Sequence, residues 1–364
     1  MKRFFLPILI SIFIFSCQPE YQPRDIDSIT IKEFTIDSVS IRTIQAISDQ
    51  LVFYADSKGA IGYTVDGGNT WFKNSLSYQD SIIPNFRSMS SNGDDIFTLT
   101  IGNPALLFKF DKHGSNSYNA SLGKKSELTV FSSEIVYKEE HEKVFYDSMK
   151  FFDAQNGIAM GDPTEDCLSM IVTRDGGNTW NKIPCDRLPE VIDGEAAFAS
   201  SNTNIKTLGE TAWVVTGGAK ARVFKTTDLG ETWKVFDTPI IQGDGPQGIY
   251  SVDFADKMNG IIVGGDYSKP EGNRANKAIT TDGGETWTLV ANGENPNYKS
   301  CVQYVPNTDG KEVFAVGKTG ISYSKDGGIT WKEVSKEGYY AIEFVDRNNA
   351  WLSGNQKMGK LKLR

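Results

Sequence analysis

Short apolar runs recur along the whole chain, each closed by a turn-forming group. One pair is clear: Ser251-Val-Asp-Phe254, a polar turn, then Asn259-Gly260-Ile-Ile-Val-Gly264-Gly265. Runs of this length, rich in Val, Ile and Phe and bounded by Gly, Asn and Asp, predict strands and not helices. Comparable units begin near Ser40, Arg87, Met149, Ala197, Ser251, Ser300 and Ala341, which makes seven starts. The 337 residues from Ser28 to Arg364 then give each unit about 48 residues, enough for four short strands.

A second pattern marks the far end of these units. Thr64-Val-Asp66-Gly-Gly68-Asn-Thr70-Trp71 returns around Asp175, Asp228, Asp282 and Asp326, each time ending in Trp. The gaps between successive Asp residues are 109, 53, 54 and 44, so the first gap has room for a further copy. Phe110-Asp111-Lys112-His113-Gly114 fits there as a degraded version. A repeat of 40–50 residues with four strands and no helix predicts an all-β, seven-bladed β-propeller. The last unit supplies only three strands, near Ala341–Val345, Ala350–Ser353 and Lys360–Leu363, while Ile29–Ile36 is a spare strand at the start. Pairing that spare strand into the last blade closes the ring and removes two free edges.

The octapeptide Ser/Thr-x-Asp-x-Gly-x-Thr-Trp resembles the Asp-box of bacterial neuraminidase repeats. Physically, its Asp can accept backbone N–H groups in a tight turn and its Gly can supply a left-handed residue. Five near-identical copies around a ring cannot all serve one site, so Asp66, Asp175, Asp228, Asp282 and Asp326 are assigned a structural role. They lie on the hairpin between third and fourth strands, opposite the usual ligand entrance of propellers. Units such as Phe254-Ala-Asp256, Gly260-Ile-Ile-Val-Gly264 and Thr281-Asp282-Gly-Gly-Glu-Thr-Trp287 also make residues 28–364 similar to the photosystem II stability and assembly factor-like propellers and their non-photosynthetic bacterial lipoprotein relatives. That resemblance implies an assembly scaffold that binds partner proteins.

The N-terminus sets the compartment. Met1-Lys2-Arg3 precedes an apolar run from Phe4 to Phe15, too short to span a bilayer as a helix, and ends in Ile14-Phe15-Ser16-Cys17. This resembles a bacterial lipobox, so residues 1–16 are expected to be a lipoprotein signal peptide and Cys17 the lipidated residue, with 17–27 as a tether and 28–364 as a single propeller. An ordinary secretory leader that contains a Cys is the other reading. The expected location is the bacterial cell envelope, at the outer membrane or its periplasmic face. An oxidising envelope makes the remaining cysteines candidates for pairing. Cys167 and Cys185 flank the turn at Gly176-Gly177 at nearly equal distances, so they are candidates for a cross-strand disulfide; Cys301 sits in an apolar run and reads as a buried thiol.

Composition narrows the function. With 38 basic and 46 acidic residues the net charge is −8, a surface that repels phosphate backbones, so nucleic acid is not an expected partner. Only two His, His113 and His141, are present, and both fall in polar loops. No Gly-x-Gly-x-x-Gly stands between a strand and a helix, and Gly317-Lys318-Thr319 lacks the P-loop's earlier Gly, since Glu312 stands there. No cofactor and no metal are expected. A sialidase would need three clamping Arg, the first in Arg-Ile-Pro, but Arg42 is followed by Thr43 and the chain has ten Arg in all.

One constellation of charge remains. Loops between second and third strands, and between one unit and the next, share a face. On that face fall Asp162 with Glu165 and Asp166, Asp193 and Glu195, Lys220 and Arg222, Asp244, and Asp266-Tyr267-Ser268-Lys269. Asp162, Glu195 and Asp266 are candidate catalytic carboxylates if held about 5–9 Å apart, as glycoside hydrolysis requires. Lys220, Arg222, Tyr267 and Lys269 are candidate binding residues. Solvated loops making salt bridges would use the same residues. The expected role is a monomeric binding or assembly scaffold for a protein or glycan partner on the ring face, membrane-associated through the lipid, with glycoside hydrolysis as the alternative. The long stretch Tyr118–Ser148 reads as an insertion that could serve as a partner-binding arm.

Overall fold

A computed structural model describes residues 21–111 and 133–363. The leader, Cys17, His113 and the core of the degraded Asp-box copy lie outside the described residues. Strands β1 (Ile31–Ala46), β2 (Val52–Asp56), β3 (Ala60–Thr64) and β4 (Phe72–Ser75) come first. Then β5 (Phe86–Ser91), β6 (Asp95–Thr100), β7 (Ala105–Asp111) and β8 (Ser133–Glu139) form a four-stranded meander, followed by another of β9 (Tyr146–Phe151), β10 (Gly157–Gly161), β11 (Ser169–Thr173) and β12 (Asn181–Lys182). After β13 (Glu195–Ala196), a third meander comprises β14 (Ile205–Leu208), β15 (Thr211–Val215), β17 (Arg222–Thr226) and β18 (Lys234–Asp237), with β16 (Gly217–Gly218) interposed. Strands β19 (Gln247–Phe254), β20 (Gly260–Asp266), β21 (Lys277–Thr280) and β22 (Thr288–Leu289) are extended by β16 and β13 into a six-stranded sheet. Strands β23 (Cys301–Tyr304), β24 (Val313–Gly317), β25 (Gly320–Ser324) and β26 (Lys332–Ser335) form the last four-stranded sheet, and β27 (Ala341–Phe344) and β28 (Asn349–Lys362) end the chain. Every strand pair is antiparallel, and the one helical element among the described residues is a 3-10 turn at Cys185–Arg187.

The seven-blade expectation is corrected. The strands form six hydrogen-bonded sheets and so, counted by sheet, six blades: four of four strands and two of six. The reason lies in β1. Its first part pairs with β28, from Ile31 opposite Leu361 to Thr35 opposite Lys357, and its second part pairs with β2, from Ile41 opposite Asp56 to Ala46 opposite Val52. Thr35-Ile36-Asp37-Ser38-Val39-Ser40 has no Gly or Pro to break it; only a left-handed Ser38, with φ of 63°, bends it. The first and last units therefore share one strand and merge into the sheet β27-β28-β1-β2-β3-β4. β28 likewise runs through both Ala350–Ser353 and Lys360–Leu361, which the sequence reads as separate strands.

Alternation explains why so many strands read as continuous apolar runs. In β6, Phe97 and Leu99 pack toward Met149, Ile171 and Trp180, while Ile96 packs the other way, against Phe53, Phe86 and Phe108. In β20, Ile261 and Val263 meet Val302 and Val313, while Ile262 meets Trp213 and Val223. Side chains of one strand thus face two neighbouring sheets, so both faces must be apolar. The inner strands follow one another round a common axis: β1 beside β5, then β9, β14, β19, β23, β27 and β1 again. The presumed insertion Tyr118–Ser148 is corrected in part, because Ser133–Glu139 is the outer strand of its sheet and Tyr146 opens β9.

Candidate functional site

All five Asp-box copies have one geometry. Thr64, Thr173, Thr226, Thr280 and Ser324 each donate from the hydroxyl to the Asp two residues on, at 2.7–2.9 Å. The second carboxylate oxygen of Asp175, Asp228, Asp282 and Asp326 takes the hydroxyl of the Thr four residues later at 2.5–2.7 Å, and Asp66 takes that of Thr70. Burial works against these carboxylates, but the hydrogen bonds outweigh it and hold all five below the usual range, Asp282 at about 2. Their capacity is spent on their own hairpins. The left-handed Gly177 lets the turn close on Phe97, whose ring would lie 2.4 Å from an added Cβ, and Trp180 packs edge-on against Phe97 and Phe151.

The opposite end is built differently. There the inner strands begin, and Tyr146, Tyr250, Tyr298 and Tyr340 stand at or within three residues of the starts of β9, β19, β23 and β27. Tyr250 stacks on Phe198 with centroids 3.9 Å apart, and meets Tyr298 edge-on at 4.9 Å and Tyr267 at 6.4 Å. Tyr340, just before β27, carries the Arg42 guanidinium 4.1 Å from its ring centroid. Arg87, the second residue of β5, holds Ala199 O with Nη1 and Asn85 Oδ1 with Nε, both at 3.3 Å. Burial, then the charge of Arg42, pushes Arg87 down to about 10, opposed by Tyr340 and Asp147. Among the described residues neither arginine forms an ion pair, and the buried Nε of Arg42 has no hydrogen-bond partner. Two half-buried cations close enough to repel each other thus border an aromatic cluster.

Beside them lies a pair of acids. Asp147 is the bulged residue of β9, next to Tyr146 opposite Gly161. It is fully buried, and both carboxylate oxygens lack a hydrogen-bond partner. Burial and then the charge of Asp162 push it well above the carboxylate range, with Arg87 opposing. Asp162 accepts the Ala197 N–H at 2.8 Å and is pushed up to about 6 by burial. Buried hydroxyls of Thr43, Ser88, Ser148 and Ser200 also lack protein partners, so the axis beneath the mouth is polar.

The carboxylates expected to be catalytic fall on this end, each held by partners of its own. Glu195, nearly buried, is locked to Arg222 at 2.5 Å and accepts the Thr216 hydroxyl at 2.6 Å. Asp266 accepts the Ser268 N–H at 2.9 Å and its hydroxyl at 2.6 Å, which hold it below the usual range against the effect of burial. Among the described residues Asp162, Glu195 and Asp266 make no hydrogen bond to one another. Of the expected binding residues, Arg222 is thus taken by Glu195, Lys220 stands 3.3 Å from Asp237, and Lys269 is exposed. Tyr267 is half exposed and belongs to the aromatic cluster. Arg42 and Arg87 were not among the expected binding residues, although both stand near the start of an inner strand, in the first two of the repeated units. Among the described residues no three His, Cys, Asp or Glu side chains are placed to hold a metal.

Cys167 and Cys185 are disulfide-bonded, with Cα atoms 5.5 Å apart. The expected cross-strand placement is corrected: Cys167 bridges to Glu190 and Cys185 lies in the 3-10 turn, so the bond ties the chain leaving β12 to the approach to β11. Cys301 is free and buried, its thiol pushed up to about 11.

Comparison with known proteins agrees with the repeat and the ring. The BNR/Asp-box repeat family is matched at residues 278–289 and 322–333. No curated protein sequence matches the chain. Among solved structures, it is similar to YCF48 bound to D1 peptide, at 14% identity with a TM-score of 0.64, over 93% of this chain and 100% of that one. It is also similar to YCF48 from Cyanidioschyzon merolae, at 15% identity and a TM-score of 0.61, covering 91% and 98%. The WD40 repeats of RRP9 are similar too, at 11% identity and a TM-score of 0.63, covering 93% and 100%. The chain is a β-propeller that carries BNR/Asp-box repeats and is similar in fold to YCF48.

Proposed function

We propose that this propeller is a binding scaffold that takes a carboxylate-bearing polypeptide segment at the mouth formed by Arg42, Arg87, Phe198, Tyr250, Tyr267, Tyr298 and Tyr340. The carrying observation is the pair of arginines without ion-pair partners among the described residues, beside a packed aromatic cluster. Guanidinium forks recognise carboxylates, and Arg and Tyr dominate the energetics of protein interfaces. The similarity in fold to YCF48 bound to D1 peptide supports a polypeptide occupant. Hydrolysis of a glycan ranks second, because Glu195 and Asp266 are engaged by Arg222 and Ser268. From the leader sequence we further place the chain in the bacterial envelope, held by an acylated Cys17.

The test is binding of the full chain to an array of acidic peptides with free C-termini, beside a glycan array. Arg42→Gln and Arg87→Gln should each weaken peptide binding about 10- to 100-fold, the loss of one or two charge-assisted hydrogen bonds. Peptide binding indifferent to both substitutions sinks the proposal. Release of sugar from a glycan substrate, lost on Asp162→Asn, would favour the hydrolase instead.

A further inference from the structure

The segment that precedes β1 is fastened to one end of the ring. Tyr21 donates its hydroxyl to Glu312, whose side chain is fully buried. Arg24 grips the same carboxylate through its backbone N–H at 2.8 Å, Nε at 2.9 Å and Nη2 at 2.5 Å, and reaches Asn348 Oδ1 at 3.1 Å. Tyr323 donates to the Arg24 carbonyl at 2.9 Å, and the Arg347 guanidinium lies 4.5 Å from the Tyr21 ring centroid. Lys325 pairs with Asp25 at 2.6 Å, and Lys332 pairs with Asp27.

Topology says which end this is. Glu312 lies on the β23–β24 connection, Lys325 on the β25–β26 hairpin, and Arg347 and Asn348 on the β27–β28 connection. In an antiparallel meander, first-to-second and third-to-fourth connections share one end, here the end of the Asp-box turns. The inner strands begin at the other end, where Arg87, Tyr298 and Tyr340 stand.

We propose that Tyr21–Asp27 is an orienting strap that holds the Asp-box end against the lipid bilayer and turns the mouth away from it. This rests on the acylated Cys17 proposed above. Three residues separate Cys17 from Tyr21, so four steps of chain give a reach of at most about 14 Å. The seven residues of β20 alone span about 23 Å from one end of the ring to the other. The tether is shorter than the ring is deep, so the ring cannot turn over while the strap is docked. A partner segment must then come from the soluble phase or project at least that depth from the membrane.

Lys257 and Glu271 are exposed at opposite ends of β20, on the Asp-box side and the mouth side. Lys257→Cys and Glu271→Cys, each in the full acylated chain, can be labelled with a fluorophore, since Cys167 and Cys185 are bonded and Cys301 is buried. The labelled protein is bound to vesicles of phosphatidylethanolamine and phosphatidylglycerol that carry a headgroup nitroxide quencher. Quenching should be strong at position 257 and weak at 271, and Arg24→Ala with Glu312→Gln should narrow the contrast. Equal quenching, stronger quenching at 271, or a contrast indifferent to the strap variant overturns the orientation. Mass measurement of the mature N-terminal peptide is read separately: an unacylated Cys17 overturns the anchor, while acylation with equal quenching overturns the strap alone.

Discussion

Asp147 shows what a single residue contributes to the mouth. Its carboxylate is buried without a hydrogen-bond partner, beside Asp162 and Arg87, so ionising it costs folding free energy. For an acid raised in the folded state, stability is full below the unfolded pKa and is lost as pH rises through the folded one. For Asp162 that window runs from 3.8 to about 6. Wild-type protein should therefore resist denaturant better at pH 5 than at pH 8. Asp147→Asn should stabilise the fold at pH 8 by about 1–3 kcal/mol and by less at pH 5, read as the midpoint of urea unfolding. A variant less stable than wild type at pH 8 would mean that the Arg87 charge outweighs the burial of Asp147. Residue roles of this kind were the least legible in the sequence. Glu195 and Arg222 stand 27 positions apart, and nothing in their spacing announces an ion pair. Arg42 and Arg87 acquire meaning only once the inner strands are placed side by side, because an arginine near a strand start looks the same on any sheet.

The hairpins, by contrast, were written into the chain. Each Asp-box names its donor, its acceptor and its left-handed glycine within eight residues, so local chemistry decides the structure with no help from distant contacts. This is why each copy sits, as its sequence implies, on the hairpin between the third and fourth strands of its unit. It also predicts that the copies are equivalent in kind. Asp228→Ala and Asp282→Ala should each cost about 1–3 kcal/mol, since each removes an acceptor of three or more hydrogen bonds and leaves the Thr partners unpaired. Neither should change peptide binding at the mouth, which lies at the other end. A loss of binding with unchanged thermal stability in either variant would contradict the structural role. What the local code could not supply was the joining of elements: no turn signal is also a signal, and the unbroken run through Ser38 is what merges two units in one sheet.

At the scale of the molecule, the ring depends on the pairing of Ile31–Thr35 with Lys357–Leu361. Leu361 is fully buried among Tyr339, Ile342 and Leu352, with Ile31 packed against the same cluster. Leu361→Asp puts an unpaired charge there and should cost more than about 4 kcal/mol, seen as a collapse of the melting temperature and as aggregates in gel filtration. A well-folded monomeric variant would show that the sheets hold without the closing pair.

That pairing also sets the order of events when the chain is made. Ile31 leaves the ribosome 330 residues ahead of the leucine it must meet, so its half of the seam stays open while those residues are made. During this interval it is a naked strand edge, free to join the wrong neighbour or another nascent copy. A stop codon just after Gln356 would remove Lys357–Leu361 and leave that edge without its mate for the lifetime of the molecule.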